Sequence, residues 1–168
     1  MKKYMLSLLF SLALVGTAFS QDNTSETITA NINVTTNVIR SIELITVNNI
    51  RLRNFQPEQL EVYISPTESV DAGHMIALGN PNADIRIEYL RNRVLTQVDG
   101  DGILSFTYEV SANEIDNQST SELLLNDNRN LKFNSRGEFF IWIGGRVNIE
   151  QALPGSYAGE FTIEIEYI

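Results

Sequence analysis

The clearest pattern of hydrophobic and polar positions lies at the C-terminal end of the chain. Four apolar side chains occupy alternate positions there, and they are Phe161, Ile163, Ile165 and Tyr167. The positions between them hold Glu160, Thr162, Glu164 and Glu166. Because successive side chains of a strand point to opposite faces, this spacing predicts a strand with one apolar face and one acidic, solvated face.

Similar alternation recurs along most of the chain. It covers Glu26–Thr36, Leu60–Ile64, Ile85–Tyr89 and Leu104–Val110. Ser41–Arg53 holds short apolar runs that Asn48-Asn49 interrupts, and His74–Leu78 is a short apolar run. Turn residues separate the runs at Asn80-Pro81, Asp99-Gly100-Asp101-Gly102 and Arg136-Gly137. Two segments are predicted as short helices or turns, Pro57–Leu60 and Thr120–Leu125. Many short strands without a long helical pattern predict an all-β fold, a single-domain antiparallel β-sandwich.

The segment Phe139–Ile143 is apolar at every position and therefore lacks the solvated face of an alternating strand. This favours a central strand that is covered on both sides. The alternative is an exposed aromatic platform for sugar, formed by Phe140 and Trp142. Trp142 is the single tryptophan of the chain, whereas carbohydrate sites commonly expose several aromatic residues. We therefore favour core packing for this segment.

Residues 1–20 have the organisation of a secretory signal peptide. Lys2 and Lys3 precede the apolar run Met5–Val15, and Ala18-Phe19-Ser20 places small residues at the two positions that a signal peptidase reads. A membrane anchor is the alternative, but the apolar run is short for about 30 Å of hydrocarbon and polar residues follow it at once. We predict a signal peptide over 1–20, a β-sandwich domain over 21–168, and a secreted, periplasmic or cell-surface location.

Removal of the signal makes the protein strongly acidic. The signal holds two of the 12 Lys and Arg residues and none of the 21 Asp and Glu residues, so the mature chain has a net charge of −11. This charge argues against nucleic acid and anionic lipid as partners. We expect no membrane insertion after cleavage. The chain contains no cysteine, so neither a disulfide nor a cysteine-linked lipid is available.

Candidates for catalysis and metal binding are few. His74 is the single histidine and no serine elbow accompanies it, so we interpret it as a structural or surface residue and predict no catalytic site. Zinc would require a cluster of His and Cys ligands, and we predict no metal site and no cofactor. Calcium is the most plausible ion, since Asp99, Asp101 and the segment Asn126–Asn130 concentrate oxygen ligands. However, Leu131 and Gly137 occupy the positions of the turn glycine and the final glutamate of a calcium loop, and ordinary turn chemistry explains both segments.

Three Asn-x-Ser/Thr sequons also occur, at Asn23, Asn33 and Asn117. Such matches are common by chance, and we attach no function to them.

Two blocks of sequence resemble a bacterial family of exported domains of unknown function, the one numbered forty-four oh two. The first block is Ala72–Ile85, and the second runs from Ile143-Gly144-Gly145 through Gly155-Ser-Tyr157-Ala-Gly159-Glu-Phe161 to Tyr167. The resemblance implies an immunoglobulin-like sandwich in a secreted or surface-associated protein, similar to spore-coat-protein-U-like and fimbrial subunits. It supplies no catalytic residue to transfer. Ala77-Leu78-Gly79 is more apolar than expected at that place in the first block.

Three classes of function follow. The leading one is a non-catalytic structural or adhesive surface protein, including a fimbria-like subunit, that associates with copies of itself or with another surface protein. The alternative is a secreted or periplasmic module that binds a glycan or another ligand. A hydrolase comes third, because the sequence shows no catalytic constellation.

The segment Glu26–Val38 bears on the leading class. It alternates, carries no charge after Glu26 and lacks Pro and Gly, so it could be donated to the open sheet of another subunit. The alternative, which we favour, is that it forms the first strand of its own domain, because single domains commonly begin in this way. In that case we expect any assembly to use the acidic outer surfaces or a partner.

Overall fold

The structure is a computed structural model that describes residues 29–36, 42–52, 59–125 and 131–168. The predicted signal peptide, the sequon at Asn23 and the segment Asn126–Asn130 lie outside these residues. The described residues form eleven strands: β1 Thr29–Thr36, β2 Glu43–Asn48, β3 Glu61–Ile64, β4 Gly73–Leu78, β5 Asp84–Tyr89, β6 Asn92–Gln97, β7 Ile103–Asn113, β8 Glu122–Leu123, β9 Leu131–Lys132, β10 Glu138–Asn148 and β11 Ser156–Tyr167. The predicted all-β, single-domain fold is confirmed.

The strands form one continuous hydrogen-bonded order, β2-β4-β10-β7-β6-β11-β5-β9. Three further strands attach to its sides, β3 to β10, β8 to β7 and β1 to β11. We call the part from β2 to β6, with β3 and β8, sheet A, and the part from β11 to β9, with β1, sheet B. The two sheets join through two residue pairs, Tyr157 with Gln97 and Ala158 with Thr96.

Packing between strands that are not neighbours in this order shows that the sheets lie face to face. The ring of Tyr108 in β7 is 4.8 Å from that of Phe161 in β11, although β6 separates the two strands in the order. Phe133 likewise contacts Phe139 of sheet A and Tyr167 of sheet B, with ring centroids 6.5 Å and 6.0 Å apart. The apolar side chains of both sheets form one core, as the burial of large apolar areas requires.

The alternation at the C-terminus has the predicted consequence. Phe161, Ile163 and Ile165 are buried, while Glu164 is exposed. Tyr167 is half-buried at the end of the core, where its hydroxyl accepts a hydrogen bond of 2.8 Å from the backbone N–H of Asn80.

Strand β1 is the exception to the antiparallel arrangement. It pairs with β11 in parallel over its whole length, from Thr29 opposite Ser156 to Thr36 opposite Ile163. All other ladders between the described strands are antiparallel. Residues 29–36 of the candidate donor segment therefore pair within their own chain, at the edge of sheet B.

The glycine pair Gly144-Gly145 lies where β10 changes partners. Residues 138–143 pair with β4, and residues 145–148 pair with β3. A side chain at Gly144 would collide with the carbonyl oxygen of Ile64, and Gly145 has a φ of 143°, which side-chain-bearing residues rarely adopt. The close approach of the backbones explains the two glycines.

The two segments predicted as short helices or turns agree less well with the structure than the predicted strands do. A 3₁₀ turn occupies Gln118–Thr120, whereas Glu122–Leu123, inside the segment predicted to be a helix or turn, forms the short strand β8. The first half of Pro57–Leu60 lies outside the described residues. Three strands were not predicted, β6 and the two-residue strands β8 and β9.

Candidate functional site

The alternate residues of β10 divide between two faces of sheet A. Phe139, Ile141 and Ile143 belong to the core between the sheets. Phe140 and Trp142 point to the opposite, outer face, yet each is 4% exposed. The predicted burial of this segment on both sides is confirmed, and an exposed sugar-binding platform at Phe140 and Trp142 is not what the structure shows.

Polar contacts hold the segments 65–70 and 114–121 together beside this outer face. The side-chain amide of Gln118 donates to the carbonyl oxygens of Pro66 at 3.1 Å and Ser69 at 2.9 Å. The hydroxyl of the buried Ser111, which is in register with Trp142, also donates to the carbonyl of Pro66 at 3.1 Å. We call these two segments the outer cover. Their hydrogen bonds satisfy buried polar groups that would otherwise destabilise the fold.

The sequon residue Asn117 has a structural role in this cover. Its side-chain oxygen accepts from the backbone N–H of Ser119 at 3.2 Å and caps the 3₁₀ turn.

His74 lies on the same outer face, in register with Trp142. The two rings stack in parallel with centroids 5.0 Å apart and an interplanar angle of 2°. His74 Nε2 is 3.4 Å from Asp116 Oδ1 but is not aligned for a hydrogen bond with it. Burial lowers the pKa of His74, and the negative charge of Asp116 partly opposes this shift.

The surroundings of His74 do not form a nucleophilic triad. Trp142 is paired with His74 on one side and with Ser111 on the other, so the indole separates the imidazole from the serine. The Ser111 hydroxyl donates to Pro66 and receives a hydrogen bond of 2.8 Å from Ser121. This arrangement joins the outer cover to the sheet, and it agrees with a structural role for His74.

Asp99 and Asp101 lie in the exposed turn between β6 and β7. Gln97 organises this turn, because its side-chain oxygen accepts from the Gly102 N–H at 3.0 Å and its amide donates to the Pro154 carbonyl at 2.9 Å. Within the described ranges, no three His, Asp or Glu side chains converge in a way that could hold a metal ion. The other calcium candidate, Asn126–Asn130, lies outside those ranges.

A groove that the sequence did not predict opens where β6 and β11 separate. It has a volume of about 560 Å³ and is lined mainly by Asn92, Arg93, Val94, Thr96, Gly159 and Glu160. The half-buried Arg93 donates a hydrogen bond of 2.7 Å to Thr162 Oγ1. The sequence signal that could have revealed strand β6 is Val94-Leu95-Thr96 just before the Asp-Gly turn, which is typical of one strand of a hairpin. The arginines at 91 and 93 interrupt the apolar alternation of this segment.

A second exposed feature is the edge strand β2, at the end of the order in sheet A. Ile45 is 40% exposed and Val47 is 47% exposed on this strand. Glu43 is its single charged residue. The pairing with β4 shifts register between Thr46 and Asn48, so Val47 forms a bulge.

Comparison with protein-family models, curated proteins and solved structures found no match for the chain. The resemblance to the exported bacterial family therefore remains a hypothesis. No helix among the described residues is long and apolar enough to span a membrane.

Proposed function

We propose that this protein is an exported, non-catalytic structural or adhesive subunit that works at the cell surface through contacts with copies of itself or with another surface protein. The observation that carries the proposal is the edge strand β2. An edge strand offers backbone hydrogen-bonding groups to another chain, and charged residues commonly protect it. Here the charge ends at Glu43 and the exposed side chains include Ile45 and Val47.

The overall charge supports the use of this edge. The mature chain carries a net charge of −11, so most approaches of two copies bring like charges together. The segment from Leu44 to Ile50 has no charged residue, which makes it a surface where a second copy meets little electrostatic repulsion. The bulge at Val47 limits the edge that can pair regularly to residues 43–46.

We further infer that strand β1 stays in its own subunit during assembly. Its eight residues pair with β11 of the same chain and complete the edge of sheet B. Parallel pairing is slightly weaker per residue than antiparallel pairing, so β1 is the strand of sheet B that could leave its own subunit most easily. Exchange of β1 between copies is therefore the competing mechanism that an experiment must distinguish from this inference.

The association is tested by light scattering across a range of protein concentrations. Ile45→Lys should abolish concentration-dependent association and leave the thermal midpoint nearly unchanged, because Ile45 is already exposed. Ile103→Lys is a matched control, since Ile103 is 68% exposed on β7 and away from this edge. Equal association of both variants and the parent protein would contradict the role of β2.

A cysteine pair tests where β1 resides, and the absence of native cysteine makes the result simple to interpret. Asn33 is in register with Glu160, so the double variant Asn33→Cys, Glu160→Cys should form a disulfide within one chain. A covalent ladder from surface-associated protein would show strand exchange instead. The pair Asn33→Cys, Glu164→Cys is out of register and serves as the control.

A ligand-binding module is the second candidate function, and the groove between β6 and β11 favours it. The groove lies within the usual size range of small-molecule sites, and polar side chains line it beside the exposed Val94. Binding of small ligands to residues 92–96 and 158–160, measured by NMR, tests this candidate separately from assembly.

A further inference from the structure

We propose that the groove between β6 and β11 binds a small organic carboxylate, with the guanidinium of Arg93 as its anchor. This inference rests on the second candidate function. It assigns a ligand class to the groove and does not depend on how the protein assembles.

The groove originates in the crossing between the two sheets. β11 pairs with β6 at Ala158 and with β5 from Ile163 onward. Between these points the ladder is interrupted, and a long backbone hydrogen bond of 3.4 Å from Leu90 N–H to the Thr162 carbonyl spans the gap. The chain passes here from one sheet to the other, so the groove is a consequence of the topology.

Arg93 occupies the inward-facing row of β6. It alternates with the fully buried Leu95 and is paired with Phe106, which is also fully buried. Arg93 nevertheless lines the groove. A guanidinium therefore lies between the apolar core and an opening to solvent, a place where charge is costly unless it is paired.

The hydrogen bonds of Arg93 leave donors unused. A guanidinium has five N–H groups, and here one nitrogen donates to Thr162 Oγ1. Arg93 Nε is buried and has no acceptor. No carboxylate among the described residues lies within 4.0 Å of this guanidinium.

A second buried polar group without a partner lies on the neighbouring strand β7. Tyr108 is fully buried, and its hydroxyl has no hydrogen-bond partner. Burial raises the pKa of this phenol, and the positive charge of Arg93 partly opposes the shift. Tyr108 does not line the groove, so the unpaired Nε–H of Arg93 is the donor that a ligand oxygen entering the groove would meet.

A carboxylate fits these groups better than a phosphate does. The planar guanidinium can donate two parallel hydrogen bonds to a carboxylate. A phosphate dianion would face greater repulsion from Glu160 at the groove and from the net charge of the mature chain. Asn92 and Thr96 add groups that can bond to hydroxyls, so a hydroxylated acid of monosaccharide size is the class we assign.

The test is an NMR titration of the whole mature chain, residues 21–168, with D-glucuronate. D-glucose serves as the neutral probe and inorganic phosphate as the dianionic probe. Glucuronate should give saturable shifts of the Arg93 Nε–H and of the amides of residues 92–96 and 158–160, and glucose and phosphate should not. Arg93→Gln should weaken glucuronate binding by about tenfold or more, since a charged hydrogen-bonding partner is lost. Arg91→Gln is the matched control, because Arg91 is exposed and outside the groove lining.

Glu160→Gln should strengthen glucuronate binding, since it removes the repelling charge. The titration of the parent protein decides the matter even if Arg93→Gln fails to fold. Equal binding of glucose or phosphate would overturn the carboxylate assignment and leave the groove as a binding site of another class. The absence of saturable shifts with all three probes would overturn the carboxylate assignment and also the proposal that the groove is a binding site. Shifts of the same amides that depend on protein concentration without any probe would show that a carboxylate of a second copy occupies the groove, and would overturn the small-ligand assignment.

Discussion

The two faces of strand β10 are buried to the same degree by different means. The inner residues, such as Ile141, pack against the other sheet in the common core. The outer residues Phe140 and Trp142 lie beside the stacked ring of His74, on the face where the hydrogen-bonded outer cover packs. Sheet packing depends on large apolar area, whereas a loop cover also depends on a few polar contacts. The packing of the inner face should therefore persist when any one hydrogen bond is removed. The packing of the outer face should loosen when a hydrogen bond of its cover is removed.

The largest effect is expected from a charge placed in the inner face. Ile163 is 1% exposed, so Ile163→Asp should prevent folding, because a buried carboxylate without a partner is strongly destabilising. Circular dichroism and thermal denaturation measure the result. The neighbouring Glu164→Gln points outward and should change the free energy of unfolding by a few tenths of a kcal/mol, about the usual size for a surface substitution. The opposite ranking would show that the inside and outside of β11 are wrongly assigned.

Truncation of the outer face comes second. Trp142→Ala should lower the free energy of unfolding by about 3–5 kcal/mol, the cost of removing a buried aromatic side chain. Phe139→Ala provides the inner-face counterpart on the same strand. Chemical denaturation of both variants compares the faces. A loss below about 1 kcal/mol for Trp142→Ala alone would mean that the outer cover contributes little to packing.

A smaller loss is expected from loosening the cover without touching the aromatic residues. Gln118→Ala removes the donor to the carbonyls of Pro66 and Ser69 and should cost about 1–3 kcal/mol. Hydrogen exchange should increase in residues 114–121 and stay slow in the core strands β7 and β10. Ile115→Ala, a change at a residue of the same segment that is 67% exposed, is the control. Uniform exchange across the sheet would indicate that the cover and the core unfold as one unit.

The smallest effect concerns pH. Burial lowers the pKa of His74 below its ordinary value of 6.5, so the unfolded chain binds the proton more readily than the folded one. The stability linked to His74 is therefore complete above pH 6.5 and declines as the pH falls below it. His74→Phe keeps a ring against Trp142 and should remove this part of the pH dependence, as measured by denaturant midpoints. Asp116→Asn should steepen the decline, because Asp116 raises the pKa of His74, and a flatter profile in that variant would contradict the assignment.

Local pattern was sufficient for most of the fold. Strands with alternating residues, such as β5 and β11, were predicted close to their observed bounds. β6 was missed because its inward row contains Arg93, a residue that pattern analysis places in solvent. The parallel direction of β1 was missed because alternation carries no information about the direction of a partner strand.

The candidate sites also divide into features that local sequence predicts and features that depend on residues distant in the chain. The burial of Phe140 and Trp142 followed from an apolar run without a polar face, but their partner His74 and the cover around Gln118 are distant in sequence. The groove at Arg93 was not predictable, since it forms where two strands separate.

The sequence by itself determined the strand content, the single domain, the inward row of β11 and the strong negative charge. These properties follow from composition and from the two-residue period of a strand, which act over a few neighbouring residues. The tertiary structure alone decided which strands pair, which loops cover the outer face of β10, and where Arg93 meets Thr162. Those contacts join residues far apart in the chain, and the free energy of burial that brings them together depends on the whole sandwich.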